Sequence, residues 1–200
     1  MNDNPIIEHA LNNSFSAKEY HTLLNNYARE GKTTGVQKED LIHYTKLNAQ
    51  RSKRINKTTT LRPELAKKIK VLSNQTWLLI TETWCGDAAN SIPIIARLAK
   101  LNEAINLRIV LRDENLELMD QFLTKGGRSI PKLIAYDENL NILFHWGPRP
   151  KELQKLYWEW RESENKIPYS EFQLIIQKWY NNNKCKAIQE ELEEKLSHVM

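Results

Sequence analysis

The sequence predicts an α/β domain, with a mixed central sheet flanked by helices and extra helices at both ends. Three features of the chain require it. Between residues 76 and 160, short apolar β-prone runs alternate with helical stretches. The last two of those runs are joined only by a polar turn. On either side of this zone the apolar residues recur at helical spacing.

Residues 1–74 read as a helical N-terminal extension packed on the core. Phe15, Leu23, Leu24 and Tyr27 fall at helical spacing. Ser16 can cap that helix, with Glu19 three residues on as its partner in a capping box. Gly31 and Gly35 supply the stop. Asp40 to Arg54 gives a second, weaker helix through Leu41, Ile42, Tyr44 and Leu47. Pro63 can open a third, with Leu65, Ile69 and Leu72 on one stripe.

Residues 75–162 form the core. Thr76 to Thr81 and Leu107 to Leu111 read as buried strands, with Asn90 to Leu101 as the helix between them. A helical link makes those two strands parallel. Leu116 to Leu123 is a short helix that stops at Gly126-Gly127. Lys132 to Tyr136 and Ile142 to Trp146 pair as an antiparallel hairpin across Asp137-Glu138-Asn139. Pro150 opens a helix carrying Leu153, Leu156, Tyr157 and Trp160.

Residues 163–200 form a C-terminal helical extension. One helix runs from about Tyr169 through Phe172, Ile175, Ile176 and Trp179. The tail from Lys184 to His198 has Ile188, Leu192 and Leu196 at four-residue spacing. The polar run Asn181-Asn182-Asn183 marks the expected break between the two.

Composition narrows the class. Charged residues make up 27% of the chain, as in soluble globular proteins. No apolar run reaches the length of a membrane span, and no membrane partner is expected. The polar start Met1-Asn2-Asp3-Asn4-Pro5 lacks the basic and apolar regions of a secretory signal, so a cytoplasmic location is expected. Cys85 and Cys185 lie too far apart in sequence for a disulfide framework or a clustered zinc site. The five histidines are scattered, so neither a metal nor any other cofactor is expected. Lysines and arginines crowd residues 46–70, where Glu64 is the only acid, while Glu190, Glu191, Glu193 and Glu194 make the C-terminus acidic. The basic stretch is read as a solvated helix surface in preference to a nucleic-acid face.

The chemistry centres on Trp84-Cys85-Gly86-Asp87-Ala88, which follows a buried strand and enters a helix. A cysteine at a helix N-terminus meets unpaired N–H groups and the positive end of the helix dipole, and both favour the thiolate. Thiolate is the nucleophile of disulfide exchange. Asp87 opposes this charge.

Residues 76 to about 160 resemble the thioredoxin family. Trp84-Cys85-Gly86 matches the front half of its redox motif. Pro93 falls at the family's helix-kinking proline, Arg128-Ser129-Ile130-Pro131 at the loop ending in its cis-proline, and Gly147 at its glycine after the last strand. The resemblance implies a thioredoxin-like fold with Cys85 as nucleophile and Trp84, Gly86, Asp87, Ile130 and Pro131 as substrate contacts. The Ile130 backbone would pair with an extended peptide. Two departures bear on activity. Ala88 stands where the family has its second cysteine, and Leu79 where it has a buried acid. Asp87 also replaces the common proline.

Two functions follow, and the first is preferred. One is a monothiol disulfide oxidoreductase, cycling between a disulfide-containing protein and a low-molecular-weight thiol that resolves the mixed disulfide. The other is a non-catalytic module that binds a peptide or protein. Cys185, flanked by Lys184 and Lys186, is read as a surface or partly buried helix cysteine rather than a resolving thiol. A peroxiredoxin fits poorly, because Glu82 occupies the place of the threonine that family needs.

Overall fold

A computed structural model describes residues 4–199 of the chain. The residues Met1–Asp3, on which the polar-leader reading partly rests, lie outside them. Five strands form one mixed sheet in the order β1-β3-β2-β4-β5: β1 (Phe15–Ser16), β2 (Gln75–Thr81), β3 (Ile105–Leu111), β4 (Lys132–Tyr136) and β5 (Ile142–Trp146). β2 and β3 are parallel, with Gln75 opposite Ile105 and Thr81 opposite Leu111. β4 runs antiparallel to both β2 and β5. The expected mixed sheet flanked by helices is therefore present.

β2 is the centre of the molecule. Trp77, Leu78, Leu79 and Ile80 are all fully buried, because helices cover both faces of the sheet. The crossover to β3 is α5 (Gly86–Ala99). This helix starts four residues earlier than the sequence periodicity suggests, directly after Cys85, which is its N-cap. Periodicity could not find that turn: Asp87, Ala88, Ala89, Asn90 and Ser91 are all buried although most are small or polar. Pro93 lies inside α5 and has no N–H to offer the preceding turn. The Ala89 carbonyl accepts instead from the Ser52 hydroxyl, at 3.2 Å.

The N-terminal helices are α1 (Pro5–Asn12), α2 (Ala17–Glu30), α3 (Glu39–Thr58) and α4 (Pro63–Lys70). The capping box of α2 is complete: the Glu19 N–H donates to Ser16 Oγ at 3.2 Å, and the Ser16 N–H to Glu19 Oε2 at 2.7 Å. Gly31 ends α2 in the left-handed conformation, and Gly35 lies in the bend beyond it. Two elements were not legible. α1 begins at Pro5 behind the cap Asn4, and Phe15–Ser16 pairs as β1 with Ile109 and Arg108 rather than starting the helix. Arg108 secures that edge by donating from Nε to Ser14 Oγ at 2.7 Å.

After β3 a short 3-10 turn (Arg112–Glu114) leads into α6 (Leu116–Asp120), which is shorter than expected. The C-terminal helices are α7 (Lys151–Glu162), α8 (Tyr169–Asn183) and α9 (Lys186–Leu196). Asn181–Asn183 remain helical, and the break falls at Lys184 and Cys185, both left-handed with φ of 51° and 61°. Burial of the Cys185 side chain between α3 and α5 fixes the corner there, a tertiary contact that local polarity does not encode. The basic and acidic stretches meet at α4 and α9: Arg62 pairs with Glu190 and Glu193, and Lys68 with Glu193.

The Ile130–Pro131 and Gly147–Pro148 bonds are cis. The two loops that carry them meet, with Gly147 packed on Pro131 and Lys132. Gly147 has φ of +111°, and a Cβ there would overlap the Pro131 carbonyl oxygen. Gly147→Ala is therefore expected to destabilise the fold by at least about 3 kcal/mol, read from urea unfolding.

Candidate active-site region and its covering helices

The turn between β2 and α5 is stitched to the N-terminal helices. Thr34 and Thr83 exchange hydrogen bonds: each backbone N–H donates to the other's hydroxyl at 3.0 Å. Thr33 and Thr45 complete a buried hydroxyl cluster around Thr83. Asn48 donates from its amide to the Thr83 carbonyl at 3.0 Å, and the Tyr20 hydroxyl to the Glu82 carbonyl at 3.3 Å. These contacts leave few buried polar groups unpaired, so they fix α2 and α3 against the site.

Cys85 sits under this cover. It is only 6% exposed, and its Sγ–H donates to the Ile130 carbonyl at 3.3 Å. Burial pushes its thiol up to about 12, and the Asp87 carboxylate adds to the effect. The N–H groups of Ala88 and Asp87 and the charge of Arg149 pull the other way and do not prevail. The expectation that the helix terminus would favour the thiolate is thus corrected: desolvation outweighs the dipole.

Asp87 belongs to a buried knot. Its Oδ2 accepts from Arg149 Nε at 2.9 Å and lies 2.6 Å from Arg149 Nη2 in an ion pair, and its Oδ1 accepts from the Tyr180 hydroxyl at 2.9 Å. Asp87 and Arg149 side chains are each 9% exposed. Burial alone would lower the Arg149 pKa, and the adjacent carboxylate raises it above its ordinary value. Burial, the Asp87 charge and the hydrogen bond to it hold the Tyr180 hydroxyl protonated. The knot joins the start of α5, the loop after β5 and α8. Arg149 also lies 4.3 Å above the Tyr157 ring, which adds α7.

The other predicted contacts are partly occupied. At Gly86 a Cβ would come within 3.3 Å of the Arg51 guanidinium, so α3 closes over that position. The Ile130 carbonyl, expected to meet a peptide, already accepts from Cys85. Ile130 and Pro131 are buried. Trp84 is half-buried and keeps a solvent-facing side, with the Arg112 guanidinium 4.9 Å from its ring centroid. Cys185 is fully buried, which corrects its surface placement, and its Sγ–H donates to the Asn90 carbonyl at 3.6 Å. Burial raises its thiol too, in spite of the flanking lysines. Both cysteines are free.

Sequence reasoning missed Arg149, Tyr180 and Lys132, and left the role of Glu82 open. Tyr180 lies 93 residues from Asp87, so no local pattern points to it. Arg149 had a faint signal as the charged residue in Gly147-Pro148-Arg149-Pro150. Glu82 is fully buried and accepts the Asp113 N–H at 2.9 Å, which anchors the turn after β3. Burial raises its pKa, and its Oε2 has no partner. Lys132, 3% exposed, donates from Nζ to Thr124 Oγ1 and the Gly147 carbonyl, and burial lowers it to about 8. Among the described residues no group of three or more His, Cys, Asp or Glu could hold a metal ion, and no helix is long and apolar enough to cross a membrane.

This fold and loop arrangement define a thioredoxin-type protein. The chain belongs to the thioredoxin family: the family model described as thioredoxin matches residues 35–165. No curated protein matches it. Among solved structures it is similar to a protein of unknown function from Pseudomonas aeruginosa, at 15% identity and a TM-score of 0.56, over 92% of this chain and 97% of that one. It is also similar to an HIV epitope-scaffold, at 15% identity and a TM-score of 0.50, over 92% and 95% of the two chains. These likenesses are of fold, and at such coverage they extend beyond the sheet into the added helices.

Two measurements probe the site's electrostatics. Arg149→Met leaves the Asp87 carboxylate buried without its cation and is expected to cost about 3–5 kcal/mol in urea unfolding, with Arg149→Lys recovering part. Lys132 has a folded pKa below its unfolded value, so the folded state binds fewer protons between about pH 8 and 10.5. Wild type should therefore gain roughly 2–3 kcal/mol relative to Lys132→Met as pH rises through that window.

Proposed function

We propose that this protein is a thioredoxin-fold module that binds a partner protein beside Trp84 and does not turn over disulfides as it stands. The state of Cys85 carries this conclusion: it is buried, hydrogen-bonded to Ile130 and pushed up to about 12. At neutral pH such a thiol stays protonated, and the protonated sulfur is a poor nucleophile. Alanine at position 88 and the Cys185–Asn90 contact offer no resolving thiol.

The surface beside the motif suits recognition. Trp84 carries Arg112 on its ring, and Arg112 donates to the Arg128 carbonyl. Aromatic and arginine side chains are enriched at protein contacts, and since Arg112 is already paired with Asp113 at 2.8 Å, this face fits a segment that offers apolar or aromatic groups.

A second reading, monothiol exchange, is favoured by one observation. The Ala88 and Asp87 N–H groups and Arg149 all favour the Cys85 thiolate, and chiefly burial opposes them. If a partner displaced the cover, the thiolate would attack a substrate disulfide, form a mixed disulfide and release one thiolate. A low-molecular-weight thiol would then free Cys85.

Alkylation of Cys85 across pH, in a Cys185→Ser background, separates the two. Binding without turnover predicts slow alkylation with no plateau below about pH 10. A plateau reached below about pH 8 would favour monothiol exchange. Under the binding reading, partners captured by the wild type also survive Cys85→Ala and are lost on Trp84→Ala with Arg112→Glu.

A further inference from the structure

Away from Trp84, α2, α3 and α5 do not close fully over the first half of β3. They leave a cleft of about 720 Å³, within the ~300–1,000 Å³ typical of small-molecule sites. The cleft exists because small residues face it from three helices: Ala17 from α2, Ser52 from α3, and Ala96 and Ala99 from α5. Pro93 lies in the same wall, and Ser52 caps the carbonyl that this proline leaves free.

The two ends of the cleft differ in chemistry. The inner wall includes Tyr20, Leu24 and Ile92, all buried. With Ser52, these residues also bound a void of about 10 Å³ against Cys85, so the inner end lies one layer of side chains from the thiol. The mouth carries the exposed lysines Lys18 and Lys100, with His21 beside Lys18 on α2. Among the described residues neither lysine has a carboxylate partner within ion-pair distance, whereas Lys67, Lys68 and Lys151 elsewhere on the surface do. Arg97 is held by the Thr59 carbonyl. Glu103 is the one acid among the described residues that line the cleft.

We infer that this cleft binds a small amphipathic carboxylate of the medium-chain fatty-acid type. The aliphatic chain would lie along Ala17, Ala96 and Leu107, which the cleft leaves partly exposed, so that binding removes apolar surface from water. The carboxylate would stay at the mouth, between Lys18 and Lys100. The excess of lysine over acid selects an anion, and the apolar inner wall selects an aliphatic chain. This site is separate from the Trp84 face and stands whether or not that face binds a partner.

Calorimetric titration of the full chain with dodecanoate tests the inference, with dodecyltrimethylammonium as the cationic control and both kept monomeric in solution. Saturable one-to-one binding of the carboxylate is expected, with the ammonium analogue at least about tenfold weaker. Lys18→Glu combined with Lys100→Glu should weaken dodecanoate about tenfold, and Ala96→Phe, which fills the cleft, should abolish binding. Thermal unfolding establishes that each variant is folded, and the exposed lysine pair serves if Ala96→Phe is not. Absence of saturable binding, equal binding of the two amphiphiles, or unchanged affinity in either folded variant would overturn the site.

Discussion

The Asp87 carboxylate holds the site region together. It pairs with the Arg149 guanidinium, accepting a hydrogen bond from its Nε, and accepts another from Tyr180, with little access to water. A carboxylate in that position is tolerable only when its charge is matched and its lone pairs are filled. Meeting that demand requires α8 to lie across the start of α5 and the loop after β5 to turn inward. The same charge acts on Cys85, two residues away, where it reinforces the effect of burial on the thiol. One side chain therefore links the position of the C-terminal helices to the chemical state of the cysteine.

The N-terminal helices work on the opposite side of the motif. Thr34, Thr45 and Asn48 satisfy the polar groups of the turn at Thr83, and Arg51 closes over Gly86. Between them, α3 and α8 cover the positions at which a thioredoxin-type site would meet a substrate. Trp84 lies against the same two helices, beside Tyr44 and Arg51 of α3 and Tyr169 and Gln173 of α8, yet stays half-exposed, with Arg112 from the turn after β3 on its ring. The surface that remains is therefore an aromatic and arginine face rather than an open thiol.

Much of the sheet was legible. β4 and β5 have the bounds expected from their apolar runs and the polar turn between them. The capping box at Ser16 and the proline at Pro63 mark helix starts correctly, because caps act through residues three or four apart. β1 was missed because its two residues gain their identity from pairing with Ile109 and Arg108, not from their own pattern. The corner at Lys184 was misplaced for a similar reason: burial of Cys185, not the asparagine run, fixes it.

Within residues 75–162 the alternation of strands and helices, the place of Cys85 at the start of α5 and the lack of a second cysteine at position 88 can be read from the chain alone. Those properties depend on periodicity, caps and residue identity, all of which act within a few residues. The tertiary structure alone decided the state of the thiol. Helix-terminus chemistry favours a thiolate, but desolvation depends on which side chains lie above the sulfur, and those come from elements remote in the chain. The same holds for the cleft between α2 and α5, whose size depends on how far two helices stand apart.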